Sequence, residues 1–435
     1  MGKHSELLAR HKEVLPSWMA LYYQEPIAII DGEGRRVIDA EGNEYLDFFG
    51  GILTTMSGYR VPEVVAAIKA QADRMLHTST LYLIESQIEL AEKIAGLSGI
   101  PDAKVFFTNS GTEANDAALM LATQFRKSNQ VLALRGSYHG KSHSAVAITG
   151  QKSWSATSFS PFNVTYVHGG YKLRSPFGHL PDDEFTAACV ADLRDLIDIA
   201  TAGDVAAMIA EPIQGVGGFA TPPDGFFAAM KEVLDEHGIL FITDEVQTGW
   251  GRTGEHFWGY QAHEVTPDVL TFAKGLGNGL AMAGVVARAE IMDCLRANSI
   301  STFGGNPLAT SGALANLDYL LENDLQTNAL KVGNQLMNGI HRIADEVPEI
   351  VEVRGKGLMI GVEFGDPADL TPDTGLTAAV MEEAKAGGLL IGKGGLYGNT
   401  LRIAPPLSIT EEEADEGLEK LKEAVNRARH REEQS

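Results

Sequence analysis

Two side chains at the ends of apolar runs carry the first chemical signal in this sequence. Lys274 stands in Thr271-Phe272-Ala273-Lys274-Gly275, where an apolar run meets a glycine-rich turn. An ammonium at a strand's carboxyl end among apolar and small residues loses hydration. Its pKa falls, and the neutral amine becomes a nucleophile toward aldehydes. Roughly thirty residues earlier, about one strand–helix–strand unit, a second apolar run, Phe241-Ile242-Thr243-Asp244-Glu245-Val246-Gln247, ends in a carboxylate. Taken singly, Lys274 reads as a solvated loop lysine and Asp244 as a helix cap. Together they form the pair that pyridoxal phosphate needs: a lysine to hold the aldehyde, and an aspartate to keep the ring nitrogen protonated so that the ring draws electrons.

Other segments fit the same chemistry. Asn109-Ser110-Gly111-Thr112-Glu113-Ala114 follows an apolar run and opens a helical pattern. Backbone N–H groups and hydroxyls at such a helix start are a seat for a phosphate dianion, although a serine-capped helix would read the same way. Tyr138 in Tyr138-His139-Gly140 can stack on a flat heterocycle or serve as a core tyrosine. His139 and His143 are four apart, but with no HExxH and no third ligand nearby no metal site is expected. Glu211 closes the run before Pro212-Ile213-Gln214-Gly215. Gly275-Leu276-Gly277-Asn278-Gly279 lacks the GxGxxG context of a nicotinamide site. Ser301-Thr302-Phe303-Gly304-Gly305-Asn306-Pro307 is a glycine turn with hydroxyls, or simply the connection into the next helix. Lys141 is either a second cation at the site or, more in keeping with a lone charge, a surface lysine.

These residues need a frame. Between about 100 and 305, short apolar runs (105–108, 131–134, 206–210, 240–244, 269–273, 284–287) alternate with helical patterns such as 113–127. Continuous rather than alternating apolar runs predict an α/β fold with a mostly parallel sheet covered on both faces. The chemical residues fall at the carboxyl ends of its strands, where such sheets bind ligands. Before this unit, 27–30 and 36–39 flank a glycine turn and read as a hairpin. From 62 to about 97 the pattern is helical throughout. After it, a helix from 307 to about 323 leads to strands near 358–363 and 400–404, a surface loop at 365–374 and a charged helix from 411. The expected division is an arm with part of a small domain at 1–60, a large domain at 61–306, and a linking helix with the rest of the small domain at 307–435.

Composition limits the alternatives. The 435 residues include 58 acidic and 35 basic ones, a formal net charge of -23, which disfavours nucleic-acid binding. Cys189 and Cys294 form no spacing motif and suggest a reducing compartment. Without an apolar leader near Met1 or a run of about 18 apolar residues, a cytoplasmic protein that neither spans nor binds a membrane is expected.

With these motifs assembled, the chain resembles the class III aminotransferases, pyridoxal-phosphate enzymes of fold type I, nearly end to end. The resemblance is strongest in Asp244-Glu245-Val246-Gln247, Gly251-Arg252-Thr253-Gly254, Ala273-Lys274-Gly275 and Thr302-Phe303-Gly304-Gly305-Asn306-Pro307. Within the class it is most similar to the alanine–glyoxylate aminotransferase branch, through segments such as His77-Thr78-Ser79-Thr80, Glu211-Pro212-Ile213-Gln214-Gly215-Val216 and His256-Phe257-Trp258-Gly259. The resemblance implies a seven-stranded-type sheet in the large domain and a smaller α+β domain. It implies that Lys274 holds the cofactor covalently and then carries the reacting proton. Asp244 would pair with the ring nitrogen, Val246 and Tyr138 would cover the two ring faces, and Gln247 would contact the 3-oxygen. Ser110, Gly111 and Thr112 would hold the phosphate, and Glu211 would orient the groups around the ring. Thr302 would reach the phosphate bound in the partner subunit of a homodimer. Arg402 would grip the substrate carboxylate in a bidentate fork.

Two positions depart from the family pattern. Gly58-Tyr59-Arg60-Val61 replaces a Gly-His-x-His segment. Val216 stands where relatives acting on 4-aminobutyrate or ornithine carry a glutamate that parks the arginine equivalent to Arg402. Valine cannot pair with it, so Arg402 is expected to stay unpaired and to favour donors such as alanine, β-alanine or 3-aminoisobutyrate, with pyruvate or glyoxylate as acceptor. The rival readings are a 4-aminobutyrate or other ω-amino acid transaminase, a phospho-lyase or a decarboxylating aminotransferase on the same fold, and, weakest, a non-enzymatic binding protein.

Overall fold

In the chain's main sheet the strands are β1 (Ala103–Thr108), β2 (Gln130–Leu134), β3 (Asn163–Val167), β4 (Ala207–Ala210), β5 (Leu240–Asp244), β6 (Val269–Phe272) and β7 (Ala283–Arg288). They lie side by side in the order β1-β7-β6-β5-β4-β2-β3. This is seen in a computed structural model that describes residues 2–19 and 21–432. Every residue of β2, β4, β5 and β6 is buried. Helices cover both faces, so neither face needs polar side chains and the runs read as continuously apolar.

Strands β2 to β6 pair in parallel where they are neighbours, as in Ile209↔Ile242 and Thr243↔Leu270. Strand β7 is antiparallel to both β6 and β1. A buried run carries no mark of its direction, so this reversal was invisible in the sequence. It has a useful consequence: β1 runs with the remaining strands, and the carboxyl ends of all but β7 share one edge.

Two smaller sheets flank this unit. The expected hairpin forms Ile29–Glu33, Arg36–Asp39 and Glu44–Asp47, extended by Leu389–Leu390 from the far end of the chain. The other sheet joins Ile350–Lys356, Met359–Phe364, Thr400–Ile403 and Gly392–Gly394, and sets Arg402 opposite Gly361 and Gly392. At its base the buried Glu363 carboxylate accepts from Arg354 Nη1 (2.7 Å), Arg174 Nη2 (2.7 Å), Asn399 Nδ2 (3.3 Å) and the Tyr171 hydroxyl. Segments far apart in sequence are tied there by charge-assisted bonds.

The continuous helix expected from 62 to 97 is two helices, Pro62–Arg74 and Glu85–Leu97. Met75 is fully extended, and in the intervening turn Ser79 Oγ accepts from the Leu81 N–H at 3.2 Å. The helix Pro307–Glu322 is capped by Asn306, whose side chain accepts from the Ala309 N–H at 3.0 Å, with Pro307 at its first position. Its buried Asn316 donates at 3.0 Å to the carbonyls of both Gly275 and Leu276, bracing the turn after Lys274.

The departure at 58–61 also has a local account. The Tyr59 hydroxyl donates to the buried Asp47 at 2.6 Å, and Arg60 pairs with Asp31 and Glu33. This segment locks the N-terminal hairpin to the strand after it.

Candidate active site

The carboxyl edge of the main sheet opens into a cavity of about 280 Å³. Ser110, Gly111 and Thr112 line it, as do Tyr138, Glu211, Asp244, Val246, Gln247 and Lys274. Of the residues singled out in the sequence, Thr302 and Arg402 are not on this wall.

Lys274 follows β6 with φ +47, a left-handed conformation that costs a non-glycine residue on the order of 1–3 kcal/mol. Asn316, holding the two carbonyls that follow, helps to keep it there. Burial pulls the Lys274 ammonium down to about 8, with Asp244 and Glu211 opposing and Arg402 assisting. The amine is thus partly neutral near pH 7–8, as an attack on a carbonyl requires.

Asp244 ends β5. Its Oδ2 accepts from Asn115 Nδ2 at 2.8 Å and lies 2.7 Å from His139 Nδ1, and its Oδ1 accepts from the Val246 N–H at 3.1 Å. Asn115 is fixed in turn by Thr271, whose hydroxyl donates to Asn115 Oδ1 at 2.7 Å. The sequence alone gives neither Asn115 nor His139 this role. Among the described residues no group of three or more His, Cys, Asp or Glu side chains is placed to hold a metal ion. Asn115 lies one turn into the helix Gly111–Arg126, on the side facing β5 and β6, and its being a buried amide could have been the signal.

Glu211 follows β4 and clamps two loops: Oε1 accepts from the Tyr138 N–H at 2.9 Å and Oε2 from the Gly215 N–H at 2.8 Å. Burial pushes its carboxyl up to about 7, against the pull of His139 and with a push from Asp244. Gly215 lets the Gln247 amide lie close: a Cβ there would come 2.4 Å from it and force that side chain to move.

Ser110 caps the helix Gly111–Arg126 by accepting from the Glu113 N–H at 3.4 Å, and Glu113 accepts from the Asn109 N–H at 2.7 Å. This reciprocal arrangement places the unpaired N–H groups of the first turn at the cavity. The Thr112 hydroxyl is already used: it accepts from the Lys141 and Ser142 N–H groups (3.1 Å each) and donates to Ser142 Oγ (3.2 Å). Any anion seated here would therefore meet Thr112 through its backbone. Gly111 lets the helix start approach Val246, since a Cβ would come 3.2 Å from both Val246 methyls. Tyr138 and Val246 both line the cavity, and Tyr138 is steadied edge-on by Trp154, 5.3 Å between centroids. Lys141 also lines the cavity rather than standing apart from it.

Arg402 is buried, and each of its three nitrogens meets a neutral group. Nε donates to the Lys393 carbonyl (3.1 Å), Nη1 to the Gly215 carbonyl (3.2 Å) and Nη2 to the Tyr22 hydroxyl (3.1 Å). Phe49 and Phe219 cover it, 4.8 and 5.6 Å from the guanidinium carbon. No carboxylate among the described residues pairs with it. Thr302 is exposed, on the turn before the helix Pro307–Glu322.

The wall suits pyridoxal phosphate. Buried His139 Nε2 and Gln247 Oε1 have no hydrogen-bond partner among the described residues. An amine of lowered pKa, a helix start, and an aromatic and an aliphatic side chain on the same wall match an aldehyde, a phosphate and a flat ring.

The Aminotransferase class-III family profile matches residues 20–425. Alanine–glyoxylate aminotransferase 2 homolog 2, mitochondrial, of Arabidopsis thaliana is 41% identical over 418 residues, covering 94% of this chain and 85% of that protein. Alanine–glyoxylate aminotransferase 2, mitochondrial, of Homo sapiens is 36% identical over 448 residues, covering 97% and 86%. The solved structure of an amine transaminase from an uncultivated Pseudomonas species in its PLP-bound form superposes with a TM-score of 0.90 at 30% identity, covering 95% of this chain and 98% of that one. This chain belongs to the class-III aminotransferases and is a pyridoxal-phosphate-dependent enzyme.

Proposed function

We propose that the enzyme moves the amino group of a small amino acid, of the alanine, β-alanine or 3-aminoisobutyrate type, to a keto acid such as pyruvate or glyoxylate, in a ping-pong cycle. One observation carries this reading: Arg402 sits beside Gly215-Val216 and is hydrogen-bonded only to neutral groups, so its charge has no carboxylate partner among the described residues. The alanine–glyoxylate names of two relatives agree with it.

The bound cofactor supplies an aldehyde and a protonated ring that withdraws electrons from the substrate's Cα. Lys274 would hold that aldehyde through its Nζ, and, once the substrate amine has taken its place, the same Nζ would take and move the substrate's Cα proton. Asp244, oriented by His139 and Asn115, would pair with the protonated ring nitrogen. Tyr138 and Val246 would cover the ring, and Gln247 would contact its 3-oxygen. Glu211 fixes the Tyr138 and Gly215 loops. Ser110, Gly111 and Thr112 would hold the phosphate.

The same proposal includes a homodimer in which Thr302 of each subunit reaches the phosphate of the other; its exposure on the turn is compatible with that role. It also includes the division at residues 60 and 306, supported by the separate sheets, and a cytoplasmic location, supported by two free cysteines. No helix among the described residues is long and apolar enough to cross a membrane.

The test is a half-reaction. Cofactor-loaded protein is mixed with one amino donor and no acceptor, and the visible cofactor band is followed. Bleaching by alanine or a β-amino acid, and not by 4-aminobutyrate, is expected. Release of inorganic phosphate from a phosphorylated amino alcohol, with no bleaching by any amino acid, would move the protein to the lyases.

A further inference from the structure

Arg402 is held in two different ways. Nε and Nη1 are anchored by the carbonyls of Lys393 and Gly215, both parts of the packed frame. Nη2 instead meets a phenol hydroxyl, that of Tyr22, at 3.1 Å. Tyr22 comes from the stretch 21–28, which has neither helix nor strand and passes over the surface of the molecule. Its ring rests on Phe49, 5.6 Å between centroids, the same ring that covers the guanidinium. The Tyr22 hydroxyl accepts from Arg402, so its own proton is free to be given elsewhere. The nearest acceptor is the Lys393 carbonyl, at a long 3.4 Å. A hydroxyl with a weakly engaged proton, fixed beside a cation that has no carboxylate partner and is walled by two aromatic rings, is half of an anion clamp.

We propose that Tyr22 is a specificity-determining residue that binds the substrate carboxylate together with Arg402. The carboxylate takes N–H groups of Arg402 that the frame leaves free, and Tyr22 turns its O–H from the Lys393 carbonyl to the same carboxylate. This rests on the reading of Arg402 as the carboxylate site and deepens it: the site is a cation plus a neutral donor supplied by the N-terminal arm. A neutral phenol at Nη2 does not compete with the substrate's charge, whereas an acidic side chain there would.

The test compares wild type with Tyr22→Phe and Tyr22→Glu, all cofactor-loaded. Propionate, which has the carboxylate but no amine, is titrated by calorimetry, and alanine kinetics are measured in parallel. A hydrogen bond to a charged group corresponds to a change of roughly ten- to a hundredfold in affinity. Tyr22→Phe should raise the propionate Kd and the alanine KM by about that factor while kcat moves little. Tyr22→Glu should weaken propionate further, because its carboxylate takes the Arg402 Nη2 position. A Tyr22→Phe protein that binds propionate within about twofold of wild type overturns the proposal. So does one in which kcat falls and the propionate Kd does not rise, which would make Tyr22 a brace for Arg402 only. The two readings fail separately. A wild type that transaminates alanine with no dependence on Tyr22 sinks this inference alone. A wild type whose propionate binding depends on Tyr22 but whose cofactor band no amino acid bleaches sinks the proposed reaction alone.

Discussion

His139 Nδ1 lies 2.7 Å from Asp244 Oδ2, and both side chains are buried. The same oxygen takes the Asn115 amide at 2.8 Å. One carboxylate oxygen is thereby fixed by two side chains, which sets the plane in which the carboxylate can meet a ring nitrogen. Removing His139 should loosen that orientation without removing the charge. His139→Ala is expected to lower kcat/KM for alanine by about 10- to 100-fold, whereas Asp244→Ala should cost more than the ~10⁴ upper range for loss of a general base. Steady-state kinetics of the two variants check the ranking. Equal and mild losses would mean that another group holds the ring nitrogen.

Val216 determines whether Arg402 has a rival partner. In Val216→Glu a carboxylate would sit next to Gly215, whose carbonyl already holds Nη1 at 3.2 Å. Engaging the guanidinium should cost alanine roughly 10- to 100-fold in kcat/KM, the range of one charge-assisted hydrogen bond. The preference of alanine over 4-aminobutyrate should shrink accordingly. An unchanged ratio of the two kcat/KM values would remove the basis of the donor assignment.

The site's buried charges predict how the protein stripped of cofactor responds to pH. Glu211 is raised from 4.5 to about 7, so the folded state binds more protons than the unfolded state in that window, and stability falls as pH rises through it. Lys274 is lowered from 10.5 to about 8, so the unfolded state binds more protons between those values, and stability rises with pH there. Thermal melts across pH should show a shallower first slope in Glu211→Gln, with the buried Glu245, also raised to about 7, supplying the remainder, and a shallower second slope in Lys274→Ala. Lys274→Ala should also be more stable than wild type below pH 8. A Lys274→Ala protein that melts lower than wild type at pH 7 would contradict the desolvated amine.

Glu363 makes a prediction about the fold rather than the chemistry. Its carboxylate is buried and receives Arg354, Arg174, Asn399 and Tyr171. Glu363→Gln keeps the shape and leaves two guanidinium groups short of their counter-charge. Breaking a buried pair from one side costs about 3–5 kcal/mol. Denaturant unfolding of the cofactor-loaded protein should show a loss in that range. A loss below about 1 kcal/mol would mean that water already reaches the cluster.

What the sequence made legible follows from burial on both faces. Strands such as Leu240–Asp244 and Val269–Phe272 could be found because every position in them is apolar or small, and their ends pointed to Asp244 and Lys274. Strand Asn163–Val167 was missed because it lies at the sheet's edge, only its last residue is fully buried, and a serine-rich stretch precedes it. The direction of Ala283–Arg288 was not encoded in its side chains at all. In the site, residues with a distinctive local setting were readable. Asn115, His139 and Tyr22 were not, because each acts through a partner 100 or more residues away: Asp244 for the first two and Arg402 for the third. Arg402 itself was located, but its three contacts come from segments that only the fold brings together.

The most direct test of the account is to find which amine holds the cofactor and whether an amino donor releases it. Loaded protein is treated with a hydride reductant that fixes the cofactor onto its lysine, digested, and mapped by mass spectrometry, with and without prior incubation with alanine in the absence of any keto acid. A single adduct on Lys274 that disappears after alanine is expected. An adduct on another lysine, such as Lys141, or one on Lys274 that alanine leaves unchanged, would contradict it.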